Sequence, residues 1–324
     1  MKIRNSLLLG IAAIASWCFA HAALAQAYPA KPIRVIVPFA AGGANDLIAR
    51  ALQRPFGKVL GGTIVVENLA GASTKIGTNE LIKAAPDGHT LMLAGNVALM
   101  GYYYSGIYDA KIWEQMTVLG QTGQMAWGML EARADAPFRT WAELVAHAKK
   151  NPGKLSAGGP APGGMMNLIV LETAKSAGID VTYVPFAGGG PSGIALLGGH
   201  VEYRVAQPSE VYPNVRAGKT RGLAIAFPNR VAEMPDVPTF KELGIMFDIP
   251  VFGFDLFGPA NMPPAIANQL TRALEQAIKD PEFVDVAKRL LYQPVFTGPD
   301  AIRESMRSFE KNVGPKLEAS FPRK

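Results

Sequence analysis

The stretch IRVIVPFAAGGANDLIARAL, residues 33–52, decides the fold. Ile33 to Phe39 is short, apolar and rich in β-branched residues, which reads as a buried strand. Ala40-Ala41-Gly42-Gly43 ends it, and Asn45-Asp46 then leads into an amphipathic helix with Leu47, Ile48, Ala51 and Leu52 on one face. The same order continues outward. Thr63 to Val66 is a second strand, followed by a polar loop from Glu67 to Gly77 and a helix to about Ala85. Pro86-Asp87-Gly88 is a turn, and Thr90 to Ala94 a third strand. Such βαβαβ alternation predicts an α/β fold with a parallel sheet and helices on both faces.

A second set follows. Thr140 to Lys150 reads as a helix, and Leu155 to Ala157 as a short strand that ends in the glycine- and proline-rich loop Gly158 to Gly164. A helix is expected from Met165 to Ala177, a strand from Val181 to Phe186, and another helix opening at Gly188-Gly189-Gly190-Pro191. Val201 to Ala206 and Gly222 to Phe227 complete the set. Val251 to Phe257 reads as a returning strand, Pro263-Pro264 opens a long helix, and two further helices close the chain. No low-complexity linker separates the halves, so crossing strands are expected to join them.

Three times a strand ends in a glycine loop that starts a helix: residues 38–46, 158–167 and 186–192. Helix N-termini present unpaired backbone N–H groups and partial positive charge, and glycine lets a ligand approach them. In open α/β sheets ligands lie beyond the carboxyl ends of the strands. Together the loops predict a cradle for a carboxylate or phosphate. For any one loop, glycine serving only a tight turn is the alternative.

Composition narrows the class. A chain of 324 residues suggests two domains. Lys2 and Arg4, the apolar run Leu7 to Ala20, and the small-residue sites Ala23-Leu24-Ala25 and Ala25-Gln26-Ala27 read as a secretory leader cleaved near Ala25 or Ala27. Removing it takes away Cys18, the single cysteine, and leaves 30 basic and 26 acidic side chains, a net charge of +4. No disulfide scaffold is available, and no run of like charges suits nucleic acid. His89, His147 and His200 lack helical metal-ligand spacing, and no Gly-x-Ser-x-Gly elbow exists. Neither a metal, a cofactor nor a catalytic residue is expected.

The ordered motifs resemble the tripartite tricarboxylate transporter receptors, the Bug family. They are Val37-Pro38-Phe39-Ala40-Ala41-Gly42-Gly43-Ala44-Asn45-Asp46, Val65-Val66-Glu67-Asn68, Ala85-Pro86-Asp87-Gly88-His89-Thr90, Asn151-Pro152-Gly153-Lys154, Tyr183-Val184-Pro185-Phe186, Leu196-Leu197-Gly198-Gly199-His200 and Pro235-Asp236-Val237-Pro238. The resemblance covers essentially all of the chain beyond the leader. It implies a two-domain periplasmic binding protein of the type II-like kind, with mixed sheets flanked by helices and a ligand cleft between the domains. Domain 1 would comprise residues 28–127 and 251–324, and domain 2 residues 128–250. It also implies a non-enzymatic monomer that holds a small organic acid through backbone amides and waters and delivers it to a two-component permease. Presentation to a membrane sensor, or an exported enzyme on this scaffold, are the alternatives.

On this reading the ligand-binding residues are Phe39, Ala41, Gly42, Gly43, Asn45, Asp46, Ser73, Asn96, Pro162, Gly163, Gly164, Met165, Met166, Phe186, Gly188, Arg204 and Ala206. Met165-Met166 stands where the family tends to place hydroxyl residues, which suits a ligand with an apolar or aromatic body. Packing in the helix core is the alternative for both. Ala206 stands where the family often has an aspartate, which argues against an amino-acid ligand. Arg204 shares a strand face with Ala206 and is a candidate to fork onto a second carboxylate, the alternative being a solvated strand end. Tyr102-Tyr103-Tyr104 and Trp127 are further candidates for an aromatic wall.

Overall fold

A computed structural model describes residues 28–160, 162–227, 229–231, 233–245 and 252–321. The leader, residues 1–27, lies outside the described residues. The strands are β1 (Ile33–Val37), β2 (Ile64–Asn68), β3 (Thr90–Ala94), β4 (Met116–Gln121), β5 (Met129–Arg133), β6 (Ser156–Pro160), β7 (Thr182–Phe186), β8 (Tyr203–Ala206), β9 (Thr220–Ile225) and β10 (Asp255–Pro259). The helices are α1 (Ala44–Leu60), α2 (Lys75–Lys83), α3 (Asn96–Tyr104), α4 (Trp141–Lys150), α5 (Met165–Ala177), α6 (Gly189–Leu197), α7 (Pro208–Arg216), α8 (Pro264–Ala277), α9 (Pro281–Arg289), α10 (Pro299–Asn312) and α11 (Gly314–Ser320).

Two five-stranded sheets form, ordered β2-β1-β3-β10-β4 and β7-β6-β8-β5-β9. Both are mixed. β1 runs parallel to β2 and β3, and β6 parallel to β7 and β8. The fourth position of each sheet is an antiparallel strand, β10 or β5. The mixed sheets that the resemblance implies are therefore present, while the parallel sheet read from βαβαβ alternation is confined to three strands of each. Each parallel trio takes in one strand that arrives from the other sheet: β5 directly after β4, and β10 after β9. The crossing segments pair with each other, Met125 N–H donating to Phe252 O at 2.8 Å. The result is an α/β fold of two domains.

Helix α1 shows how the sequence builds a layer. Ile48, Ala49, Leu52 and Phe56 recur at helical spacing and are buried against the first sheet. Gly61 ends the helix in the left-handed region (φ 68°), its N–H returning to Gly57 O. The C-terminal segment holds three helices after α8 rather than two, because Gly314-Pro315 breaks the last run into α10 and α11. No described helix is long and apolar enough to cross a membrane.

Candidate functional site

The loops after β1 and β6 are built alike. Gly42 and Gly163 adopt φ of 82° and 74°, a region glycine enters at little cost. Each donates its N–H to a side chain four residues on, Gly42 to Asp46 Oδ2 (2.9 Å) and Gly163 to Asn167 Oδ1 (3.0 Å). The next residues, Gly43 and Gly164, are extended N-caps of α1 and α5 that carry no side-chain cap. Gly188 plays the same part for α6. Three helix N-termini thus receive no side-chain cap from their own N-cap residue.

They meet at a cleft with about 540 Å³ of space outside the atoms, of which about 40 Å³ admits the centre of a water-sized molecule. Gly43, Ala44 and Asn45 line it from the first sheet's side, and Gly164, Met165, Met166 and Gly189 from the second. Trp127 and Phe252, one on each crossing segment, meet with ring centroids 4.4 Å apart and planes tilted at 43°, and join Phe39 and Tyr102 in an apolar wall. Pro160, Ala98 and Gln207 complete the lining. Trp127 Nε1 and Asn45 Oδ1 are buried without a hydrogen-bond partner, as is Glu210 Oε2.

Glu210 is the one charged side chain among the described residues that line this cleft. It lies in the first turn of α7 and reaches across, its Oε1 accepting from Ala44 N–H at 2.7 Å. Burial pushes its carboxyl above the usual range, against the opposing pull of Arg204 and the Ala44 amide. The domains also touch at Gly190, where an added Cβ would lie 2.8 Å from Ala41 O.

Residues 48–301 match the tripartite tricarboxylate transporter family receptor. The chain belongs to this family. As such it is a binding receptor and not an enzyme. A Cupriavidus necator protein described as the UPF0065 protein in the gbd 5′ region is 34% identical, over 85% of this chain and 83% of its own. Protein BugT of Bordetella pertussis is 31% identical over 86% of each chain. The solved structure of MatC from Rhodopseudomonas palustris with bound malate is 26% identical, covers 90% of this chain and 100% of its own, and superposes with a TM-score of 0.82.

Several anticipated positions fall in the receptor's cleft wall: Phe39, Gly43, Asn45, Gly164, Met165 and Met166. Both methionines are buried and also face the cleft, so packing and lining are not exclusive. Ala41, Gly42, Gly163 and Gly188 shape the loops behind it. Ser73, Pro162 and Phe186 line a neighbouring, more open depression with about 630 Å³ of space outside the atoms, of which about 270 Å³ admits the centre of a water-sized molecule. Asp46 is corrected from ligand contact to loop staple, since it holds Gly42 N–H and pairs with Arg50 at 2.9 Å. Asn96 lies outside the wall, its N–H bonded to Asp255 Oδ2 at 2.8 Å. Ala206 is buried with Met129, Val211 and Ile225 in a small separate core.

Arg204 is the main correction. It is 1% exposed and does not face the cleft. Its Nε pairs with the buried Glu131, which also accepts from Thr220 Oγ1 at 2.6 Å. Its Nη1 donates to Gly189 O (2.8 Å) and its Nη2 to Glu210 O (3.3 Å), so it braces the starts of α6 and α7 from behind. A carboxylate that strand alternation cannot show, Glu131 on the adjacent β5, claims it first. Glu210, Gln207 and Phe252 escaped the sequence reading. Glu210 escaped because an acid in a helix's first turn ordinarily signals no more than a favourable dipole interaction. Among the described residues no cluster of three or more His, Cys, Asp or Glu is placed to hold a metal.

Proposed function

We propose that this receptor captures a small organic carboxylate with an apolar or aromatic body between its two domains and presents it to a two-component membrane permease. The observation that carries the reading is the meeting of three glycine-capped helix N-termini, from both sheets, at one cleft with an otherwise largely apolar wall. Backbone N–H groups there form charge-assisted hydrogen bonds, which strengthen as closure excludes water. The related MatC structure, which holds bound malate, supports a carboxylate ligand. We place domain 1 at 28–127 with 251–324 and domain 2 at 128–250, and export to the periplasm with leader cleavage near Ala25 or Ala27.

The test is a thermal-shift screen of the protein lacking residues 1–27, stripped of ligand by unfolding and refolding. The panel holds aliphatic and aromatic carboxylates, amino acids and sugars. A ligand at one hundred times its Kd stabilises by about 2.7 kcal/mol, a clear shift. Shifts confined to carboxylates are expected; shifts confined to sugars, or none at all, would sink the reading.

A further inference from the structure

Glu210 puts a carboxylate where a receptor for anions would be expected to hold its ligand. Its Oε1 takes the Ala44 N–H at the start of α1. A Cβ on Gly189, the first residue of α6, would fall 2.1 Å from both carboxylate oxygens, so the group also packs directly on that helix start. Two of the three helix N-termini at the cleft therefore already face a carboxylate. The third, at Gly164-Met165 of α5, is open to the cleft.

No side chain compensates for a further anion beside Glu210. Arg204, from β8, pulls on the Glu210 carboxyl but hydrogen-bonds only its backbone oxygen and is paired with Glu131 of β5, so its charge is already shared between two carboxylates. Asp46, on the first turn of α1, is tied to Gly42 and Arg50. The start of α6 (Gly189-Gly190-Pro191-Ser192) brings no titratable group. Glu210 Oε2, buried and unpartnered, completes the picture, because an acceptor there calls for a donor from the ligand.

We propose that Glu210 restricts this receptor to ligands carrying one negative charge, by filling the second anion place of the cleft with its own carboxylate. The inference rests on the carboxylate-receptor reading above. The ligand's carboxylate then lies at the start of α5, and its far end is neutral, with a hydrogen-bond donor such as an amide or hydroxyl meeting Glu210 Oε2. A second carboxylate would be rejected by like charge, the repulsive half of specificity.

Titration calorimetry on three diacid and monoamide pairs tests this: succinate and succinamate, adipate and adipamate, terephthalate and terephthalamate. At pH 7.5 the wild type is expected to bind a monoamide about tenfold or more tighter than its diacid, one pKa unit of like-charge repulsion being a factor of ten. Glu210→Gln keeps the shape and removes the charge, so the diacids gain about tenfold or more. Should that variant not fold, Glu210→Ala, which also removes the charge, answers the same question, the diacid disadvantage shrinking there as well. A wild type that prefers diacids, or a preference unchanged in Glu210→Gln, overturns the inference alone. Silence of all six probes toward both proteins overturns it too, and silence of the whole carboxylate panel overturns the receptor reading with it.

Discussion

Arg204 and Glu131 are both withdrawn from water, and each satisfies the other. Taking one partner away leaves a buried charge uncompensated, which costs about 3–5 kcal/mol. Arg204→Ala is therefore expected to lose stability of that size in urea denaturation, and a loss below about 1 kcal/mol would contradict the buried pairing. Thr220→Val removes one of the hydrogen bonds to Glu131 and should cost less, about 1–3 kcal/mol. Asp255 behaves differently. Burial raises its pKa from 3.8 to about 7, against the opposing hydrogen bonds from Asn96 N–H and Gln121 Nε2. The unfolded chain gives up this proton near pH 3.8, whereas the folded protein keeps it to about pH 7. Through that window the native state binds more protons, so this group's contribution to stability falls as pH rises and levels off above 7. Asp255→Asn should remove that slope. Urea midpoints at pH 5 and pH 8 measure it, and an unaltered slope in the variant would refute the assignment.

At the scale of elements, the paired loops before α1 and α5 make separable demands. Gly163 has φ 74°, and a Cβ there would sit 2.8 Å from Ser105 Oγ on the opposite domain. Gly178, after α5, has φ 60° with nothing within 4 Å. An L-residue in either place costs roughly 1–2 kcal/mol of backbone strain. Gly163→Ala and Gly178→Ala should thus destabilise alike, while only Gly163→Ala wedges the domains apart and weakens carboxylate binding, by roughly tenfold for a displacement worth 1.4 kcal/mol. Equal affinities in the two variants would show that Gly163 serves its own turn alone. These loops were legible in the sequence because glycine and the β-branched run before it report backbone conformation directly. Residues 96–133 were not read into elements: α3 is apolar or aromatic nearly all round, and β4 and β5 carry glycine, glutamine and charge on short, buried runs. Neither periodicity stands out there, and the antiparallel order depends on distant partners, more than a hundred residues away for β4 and more than seventy for β5. Glu210 was illegible for a related reason, since its role comes from Ala44, 166 residues earlier.

For the whole molecule, the two crossing segments pair at Met125 and Phe252, the place about which a hinge closure of the domains would turn. The Glu210–Ala44 hydrogen bond joins the two sides of the cleft through protein groups alone. A hydrogen bond to a charged group is worth about 1.5–3 kcal/mol, which displaces an open–closed balance by roughly ten- to a hundredfold. The empty receptor should therefore be mostly closed, and an incoming carboxylate must compete for closure as well as for N–H groups. A compact chain of about 300 residues has a radius of gyration near 19 Å. Small-angle scattering of the ligand-free wild type is expected close to that value, and Glu210→Ala, with the bridge removed, should scatter as a measurably larger particle. Adding a tight monocarboxylate should bring the variant back toward the wild-type radius, because the α5 cradle can draw the domains together through the ligand instead. If wild type and Glu210→Ala scatter identically when empty, the bridge does not govern closure, and the apolar contact of Trp127 with Phe252 would have to hold the cleft shut by itself.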